Sequence, residues 1–151
     1  MVGMPVIREQ DMDKGRKAWD AWRRAAKQDA EPGQQYEGAT GTKSAAQRLE
    51  ANPDLPRPTW AMAVRYTLFL LERKAPGPGV EVRVAPWGAI KILDGPASDP
   101  HNLTPPDVIE LDPEVWLRLA AGITTWAEEK AAGHITAVGE RDDLSDLLPL
   151  A

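Results

Sequence analysis

The chain has 151 residues, a formal net charge of −5 and no cysteine. Its length suits a single domain with a sizeable core, and its acidic balance argues against nucleic acid as a partner. The lack of cysteine excludes disulfides and thiolate chemistry; with no secretory signal and no apolar run long enough to span a bilayer, we expect a cytoplasmic protein.

The first predicted helix runs from Asp13 to Asp29 and is amphipathic. Trp19 and Trp22 share its apolar side with several alanines, and basic residues occupy the other faces. Such a helix can make a weak contact with an anionic membrane surface through its tryptophans. The alternative, that the tryptophans pack onto the domain, is favoured because the apolar face is short and padded with alanine.

The central predicted helix, Thr59 to Lys74, is apolar around most of its circumference. A helix of this kind needs cover on more than one side. It is either buried between a sheet and the N-terminal elements, or it packs on the sheet while Phe69 and its neighbours face a ligand cavity. The residues favour both interpretations equally. A weaker helix is predicted from Ser44 to Ala51, within a loop-rich stretch.

Val80 to Leu93 is predicted to form a β-hairpin. Apolar residues alternate with charged ones in both arms, which is typical of strands with one buried and one solvated face. The inner face would carry Val80, Val82, Val84, Ile90 and Ile92. Gly88 indicates either a bulge or the close approach of another backbone.

Capping signals divide the C-terminal third into short elements. Asp112 and Pro113 suit the start of a helix, and Thr125 with Glu128 forms the capping box of the next one. Glycines and a proline supply the stop signals. The predicted elements are a strand at Asp107–Leu111, a helix up to Gly122, a helix up to Gly133, a strand at His134–Val138, and a leucine-rich turn ending at Pro149.

This order, together with the sequences VIELDPEVWLRLAAG, TWAEEKAAGHITAVGE and LSDLLPL, resembles the sterol carrier protein 2 family, in particular its small stand-alone bacterial members. The resemblance covers Val80 to Leu150 well and Pro58 to Gly79 more thinly. It implies an α+β fold of SCP2 type, with a mostly antiparallel sheet covered on one face by helices. The family has five strands; prolines at 96, 100, 105 and 106 leave room for at most a strand fragment near His101–Leu103, so four strands are the alternative.

The resemblance also implies one domain over residues 1–151, in which 1–57 form an N-terminal helical and loop extension and 58–151 form the core. In that family a tunnel between sheet and helices holds lipid. The implied function is non-enzymatic binding or carrying of an apolar small molecule: an acyl lipid, an isoprenoid or a sterol-like compound. The implied cavity residues are Leu68, Phe69, Val82, Val84, Trp87, Ile90, Ile92, Ile109 and Trp116.

The alternative is an interaction module that kept this fold and filled the tunnel with its own side chains. The chain has six tryptophans against one phenylalanine, which is an unusual ratio, and large indoles fill space well. A continuous cavity would favour the carrier, and a solid core with an exposed apolar patch would favour the module. No pattern in the sequence indicates an oligomeric state.

No catalytic residue, metal or cofactor is predicted. Nucleophile-elbow and phosphate-loop motifs do not occur in the sequence. His101 lies in a loop with Asp94, Asp99 and Asp107 nearby in sequence, but none of the spacings matches a known zinc or calcium pattern. An enzyme or accessory domain that uses this loop is therefore the least favoured alternative. His134 follows a helix end, where an imidazole interacts favourably with the helix dipole. Glu129 and its charged neighbours are interpreted as a solvated helix face.

Overall fold

The computed structural model describes residues 5–30, 45–95 and 107–150, which form an α+β structure. The expected elements are found in the expected order. The helices are α1 (Met12–Ala30), α2 (Ala45–Leu49), α3 (Arg57–Lys74), α4 (Pro113–Ala121) and α5 (Trp126–Ala131). The strands are β1 (Pro76–Val84), β2 (Gly88–Ile92), β3 (Asp107–Leu111) and β4 (Ile135–Val138). Short 3-10 helices lie at Glu9–Asp11 and Ser145–Leu147.

The strands form one mixed sheet in the order β2-β1-β3-β4. The β1–β2 and β3–β4 pairs are antiparallel, whereas β1 and β3 are parallel, with Val82 opposite Ile109. The sheet expected to be mostly antiparallel is therefore mixed, with a parallel central pair, and the described residues form four strands, which is the alternative to the family's five. The strand between β1 and β3 in the sequence, β2, is antiparallel to β1, so β1 and β3 run in the same direction without being consecutive in the chain. The strand fragment expected near His101–Leu103 lies outside the described residues.

Alternating side chains give the sheet one apolar and one charged face, as the sequence predicts. The inner face lies under α3 and includes Val82, Ile92 and Ile109, which are fully buried. On the outer face, Arg83 pairs with both Glu81 and Glu110. The helices therefore cover the apolar face, which places the core between the sheet and α3.

Helix α1 packs along α3 and buries its tryptophans there. Trp19 is 3% exposed and Trp22 is 0% exposed, and the Trp22 ring meets Trp60 edge to face, with centroids 5.7 Å apart. The packing alternative is thus the arrangement seen, and in this arrangement the two indoles are not available to a lipid surface. Among the helices of the described segments, none combines the length and apolar character needed to cross a membrane.

Gly88 allows two side chains to approach the start of β2. A Cβ at this position would lie 2.9 Å from Cγ2 of Val6 and 3.0 Å from Cδ1 of Leu68. The β1–β2 register is regular here, with Gly88 opposite Val84, so the bulge expected at Gly88 is wrong. The expected close approach is made by side chains, not by another backbone.

Most helix ends lie where the capping and stop residues in the sequence predict them. Thr125 and Glu128 form both hydrogen bonds of the expected capping box, and Gly122 ends α4 with φ of 78°. Asp112 precedes α4, but within the described structure its side chain makes no capping hydrogen bond. Asp13 lies inside α1 instead of capping it, because the 3-10 turn ahead of it extends the helix toward the N-terminus.

Candidate functional site

Most of the expected cavity residues lie together in the core between the sheet and the helices. All of them except Phe69 and Trp87 are at most 4% exposed; they are Leu68, Val82, Val84, Ile90, Ile92, Ile109 and Trp116. Trp87 is partly buried and packs against this cluster. Phe69 is also partly exposed, beside Tyr66, with ring centroids 6.5 Å apart. Apart from Phe69, the structure thus groups the predicted set around one core, and the role of the set in ligand binding stays a prediction.

Trp116 is a large, fully buried side chain with its polar atom satisfied. Its Nε1 donates a hydrogen bond of 2.8 Å to Oγ1 of Thr67 on α3. The Thr67 hydroxyl in turn lies 2.7 Å from the carbonyl of Ala63, to which it donates. This chain of hydrogen bonds fixes the indole between α3 and α4. The Trp116 side chain therefore fills space between these two helices.

A cavity that is wide open to solvent and partly lined by aromatic side chains lies where the N-termini of α3 and α4 meet the β1–β2 turn. Its volume is about 270 Å³, and Trp60 and Trp87 both line it while packing against the core. The Arg57 guanidinium lies over the Trp87 ring, 5.3 Å from its centroid. The remaining lining residues are Asn52, Leu55, Pro113 and Glu114.

Trp87 is the one predicted site residue that lines this cavity. Sequence reasoning did not place Trp60 in the site. The feature that could have indicated it is the position of Trp60 near the start of the mostly apolar central helix, because a helix end is where other elements come close.

Glu129 is fully buried, which corrects the expectation of a solvated helix face. Arg118 donates to both of its carboxylate oxygens, at 2.8 Å and 3.1 Å. Thr124 and His134 contact the same carboxylate, each at 2.7 Å. Burial acts to raise the pKa of Glu129, but the hydrogen bonds from Arg118, His134 and Thr124 outweigh it and lower the pKa. The carboxylate is thus held ionised in a fully hydrogen-bonded cluster.

Sequence reasoning missed this cluster, although Arg118 gave a signal. The guanidinium belongs to a residue flanked by Leu117 and Leu119 in an otherwise apolar helix. A charge in that position needs a buried partner. His134 supplies part of that environment, in addition to following the end of α5.

Residues 45–56, which we call the strap, are tied to α4 and α5 by polar contacts. Arg48 binds the Glu128 carboxylate through both Nη atoms, and its Nη1 also donates to the carbonyl of Ile123 at 3.1 Å. Arg118 donates to the carbonyl of Ala51 at 3.0 Å. The Arg48 hydrogen bond is the main cause that lowers the pKa of Glu128 to about 2. The weakly apolar α2 is therefore held largely by charged groups.

Two further cavities differ in polarity. One of about 310 Å³ adjoins the end of β3 and is lined by polar side chains including Arg83, Glu110 and His134, which suits an apolar ligand poorly. The other, of about 280 Å³, lies among α4, α5 and the C-terminal segment and includes Leu119 and Trp126. Within the described residues, no three His, Asp or Glu side chains are grouped to hold a metal.

His101 and Asp99, which belong to the least favoured candidate for a metal site, lie outside the described residues. The described part therefore offers an apolar core, an aromatic cavity and a buried ion-pair cluster.

Comparison with known proteins gives one family. A comparison with the curated proteins finds no match. The model of the family described as bacterial SCP ortholog, where SCP stands for sterol carrier protein, matches residues 56–150. The matched range contains α3, all four described strands, α4 and α5. Since this range is well over half of the sequence, the chain belongs to the bacterial sterol carrier protein-like family.

Proposed function

We propose that the protein binds and carries an apolar small molecule, such as an acyl lipid, an isoprenoid or a sterol-like compound, without catalysing a reaction on it. Membership of a sterol carrier protein-like family supports lipid binding. The observation that carries the proposal is the apolar face of the sheet, where Val82, Ile92 and Ile109 are fully buried under α3. The Trp60–Trp87 cavity adjoins this core and provides a place for part of the ligand.

Binding in the core would require side chains to move, because the predicted cavity residues are closely packed. The strap is the element best suited to open. Its largest aliphatic side chains, Leu49 and Leu55, are only partly buried, and polar contacts from Arg48 and Arg118 hold it. Opening the strap would expose little aliphatic surface but would have to break these polar contacts. We further propose that residues 1–57 act with 58–151 as one domain, since α1 packs along α3.

The second candidate function is an interaction module whose core is filled by its own tryptophans. Trp22 and Trp116 are both 0% exposed and occupy space between elements. This candidate predicts that the protein holds no ligand.

Native mass spectrometry and organic extraction of the protein purified from its source organism would test the carrier function. A co-purifying apolar molecule at one per chain is expected. A clean mass without ligand, together with failure to displace a fluorescent fatty-acid probe, would rule out the carrier and leave the interaction module. Trp87→Ala should reduce the amount of ligand retained. Lys91→Ala, on the outer face of β2, is the matched control and should retain the normal amount.

A further inference from the structure

The Trp60–Trp87 cavity has a size and lining that suit the head of an amphiphile better than a whole lipid. Its volume of about 270 Å³ is just below the usual range of ligand pockets, about 300–1,000 Å³. Both indoles are partly exposed, and both pack against the apolar core. An apolar chain that entered the core from this cavity would leave its polar end between the tryptophans.

Two opposite charges border the same cavity. Arg57 belongs to the start of α3, and Glu114 belongs to the first turn of α4. Within the described parts of the chain, neither side chain takes part in a salt bridge, and the contact of Arg57 is the cation–π contact with Trp87. Arg48, in contrast, is bound to Glu128 through both guanidinium Nη atoms. The two charges of the cavity are thus available to a ligand.

The surroundings of each charge indicate what it would bind. Arg57 lies at the positive end of an 18-residue helix, where the helix dipole opposes a cation. An anion beside Arg57 would relieve this repulsion, and a guanidinium binds phosphate oxygens through paired hydrogen bonds. At Glu114, a ligand cation would meet a carboxylate in a cavity that Trp60 and Trp87 also line, and aromatic rings attract cations.

We propose that this cavity binds the zwitterionic headgroup of a phospholipid, with the phosphate at Arg57 and the ammonium group at Glu114. The inference rests on the proposed carrier function and specifies the class of its ligand. A purely anionic headgroup would be repelled by Glu114, and a purely cationic one by Arg57. A headgroup that carries both charges complements both side chains while its acyl chains leave toward the core.

The test is a titration of the full chain with two short-chain lipids below their micelle concentrations. Dihexanoyl phosphatidylethanolamine is zwitterionic, and dihexanoyl phosphatidylglycerol is anionic with the same chains. The indole N–H signals of Trp60 and Trp87, assigned by single Trp→Phe variants in ¹⁵N NMR, report binding at this cavity. We expect both signals to move and the zwitterionic lipid to bind roughly threefold to tenfold more tightly.

Charge variants sharpen the test. Glu114→Gln should lower the affinity for the zwitterionic lipid and raise the affinity for the anionic one, so that the preference is lost or reversed. Arg57→Gln should lower the affinity for both lipids. Glu110→Gln, on the outer face of the sheet, is the matched control and should change neither affinity. Unfolding midpoints should agree between Arg57→Gln and the unmodified chain, because the side chain is exposed.

The opposing outcomes distinguish this inference from the carrier function. Equal affinity for the two lipids, or an unchanged preference in Glu114→Gln, would overturn the headgroup assignment while leaving lipid binding intact. Binding of neither lipid would overturn the headgroup assignment, whereas the carrier function would still be decided by the native mass spectrometry of the purified protein. Free glycerophosphoethanolamine, which carries the same zwitterionic phosphodiester without acyl chains, should bind far more weakly than the lipid. Equal binding would show that the site takes a soluble zwitterion and would overturn the lipid assignment.

Discussion

Arg118 and Glu129 form an ion pair with an N–O distance of 2.8 Å, and their side chains are 3% and 0% exposed. The pair joins α4 to α5, and the same guanidinium holds the strap through the carbonyl of Ala51. A buried charge is costly unless its hydrogen-bonding capacity is satisfied. Thr124 and His134 complete that requirement for Glu129. The cluster therefore acts as a structural joint for three elements around the core.

Replacing Arg118 should destabilise the protein strongly. Arg118→Met leaves the Glu129 carboxylate buried without its main partner, and we expect a loss of about 3–5 kcal/mol in the free energy of unfolding. Urea denaturation followed by circular dichroism would measure it. The double variant Arg118→Met/Glu129→Leu should lose less than Arg118→Met alone. A loss no larger than that of the exposed control Arg24→Met would contradict the assignment.

Acid should remove the stability that Glu128 contributes. Its pKa is lowered from about 4.5 to about 2, chiefly by the Arg48 hydrogen bond. The folded chain therefore binds this proton less tightly than the unfolded chain does. The contribution is full above about pH 5 and is lost as the pH falls toward 2.

Arg48→Gln removes the largest cause of this pKa shift. We expect the difference in unfolding free energy between the unmodified chain and Arg48→Gln to be greatest at neutral pH and to shrink as the pH approaches 2. Denaturation at pH 7, 4.5 and 3 would measure this difference. A difference that stayed constant across these pH values would argue against the ion pair as its source.

Two buried tryptophans should respond differently to loss of the indole N–H. Trp116 donates to Thr67, whereas Nε1 of Trp126 is buried and has no acceptor among the described residues. Trp116→Phe should lower the free energy of unfolding by about 1 kcal/mol more than Trp126→Phe does, because only the former breaks a hydrogen bond. Chemical denaturation of both variants gives the comparison. Equal losses would mean that the Trp116–Thr67 bond adds no net stability.

A methyl group at Gly88 should disturb the packing of the core. The added Cβ would lie 2.9 Å from Val6 and 3.0 Å from Leu68, so Gly88→Ala should cost about 1–3 kcal/mol. Shortening the opposing side chain in Gly88→Ala/Leu68→Val should recover part of this cost, as a double-mutant cycle would show. Additive losses would count against the steric explanation. Ala89→Ser, at the exposed neighbouring position, should have little effect.

The parts of the fold that depend on neighbouring residues could be predicted from the sequence. The capping box of Thr125 and Glu128 is found as expected because its two hydrogen bonds connect residues three apart. The β1–β2 hairpin also depends on local alternation. The parallel pairing of Val82 with Ile109 could not be predicted in this way, because distant strands carry no local signal for their relative direction.

In the candidate site, too, features that depend on neighbouring residues could be predicted and features that depend on distant residues could not. Alternation with charged neighbours is enough to identify Val82 and Ile92 as core residues, and both are fully buried. The burial of Glu129 cannot be read from its local sequence, because its partner Arg118 lies on the preceding helix and three adjacent charges are typical of a solvated face. The aromatic cavity depends on the meeting of Trp60 with Trp87, and residues so far apart are brought together only by the tertiary fold.

The parallel β1–β3 pairing divides the described sheet into two contiguous lengths of chain. Residues up to 95 build the β1–β2 pair, and residues from 107 onward build the β3–β4 pair. Within the sheet these two pairs meet along a single seam, with Val80 opposite Asp107 at one end. A backbone cut between residues 95 and 107 would sever no pairing inside either half. Because each length of chain forms its own strand pair, the protein is a candidate for reassembly from two separately produced peptides.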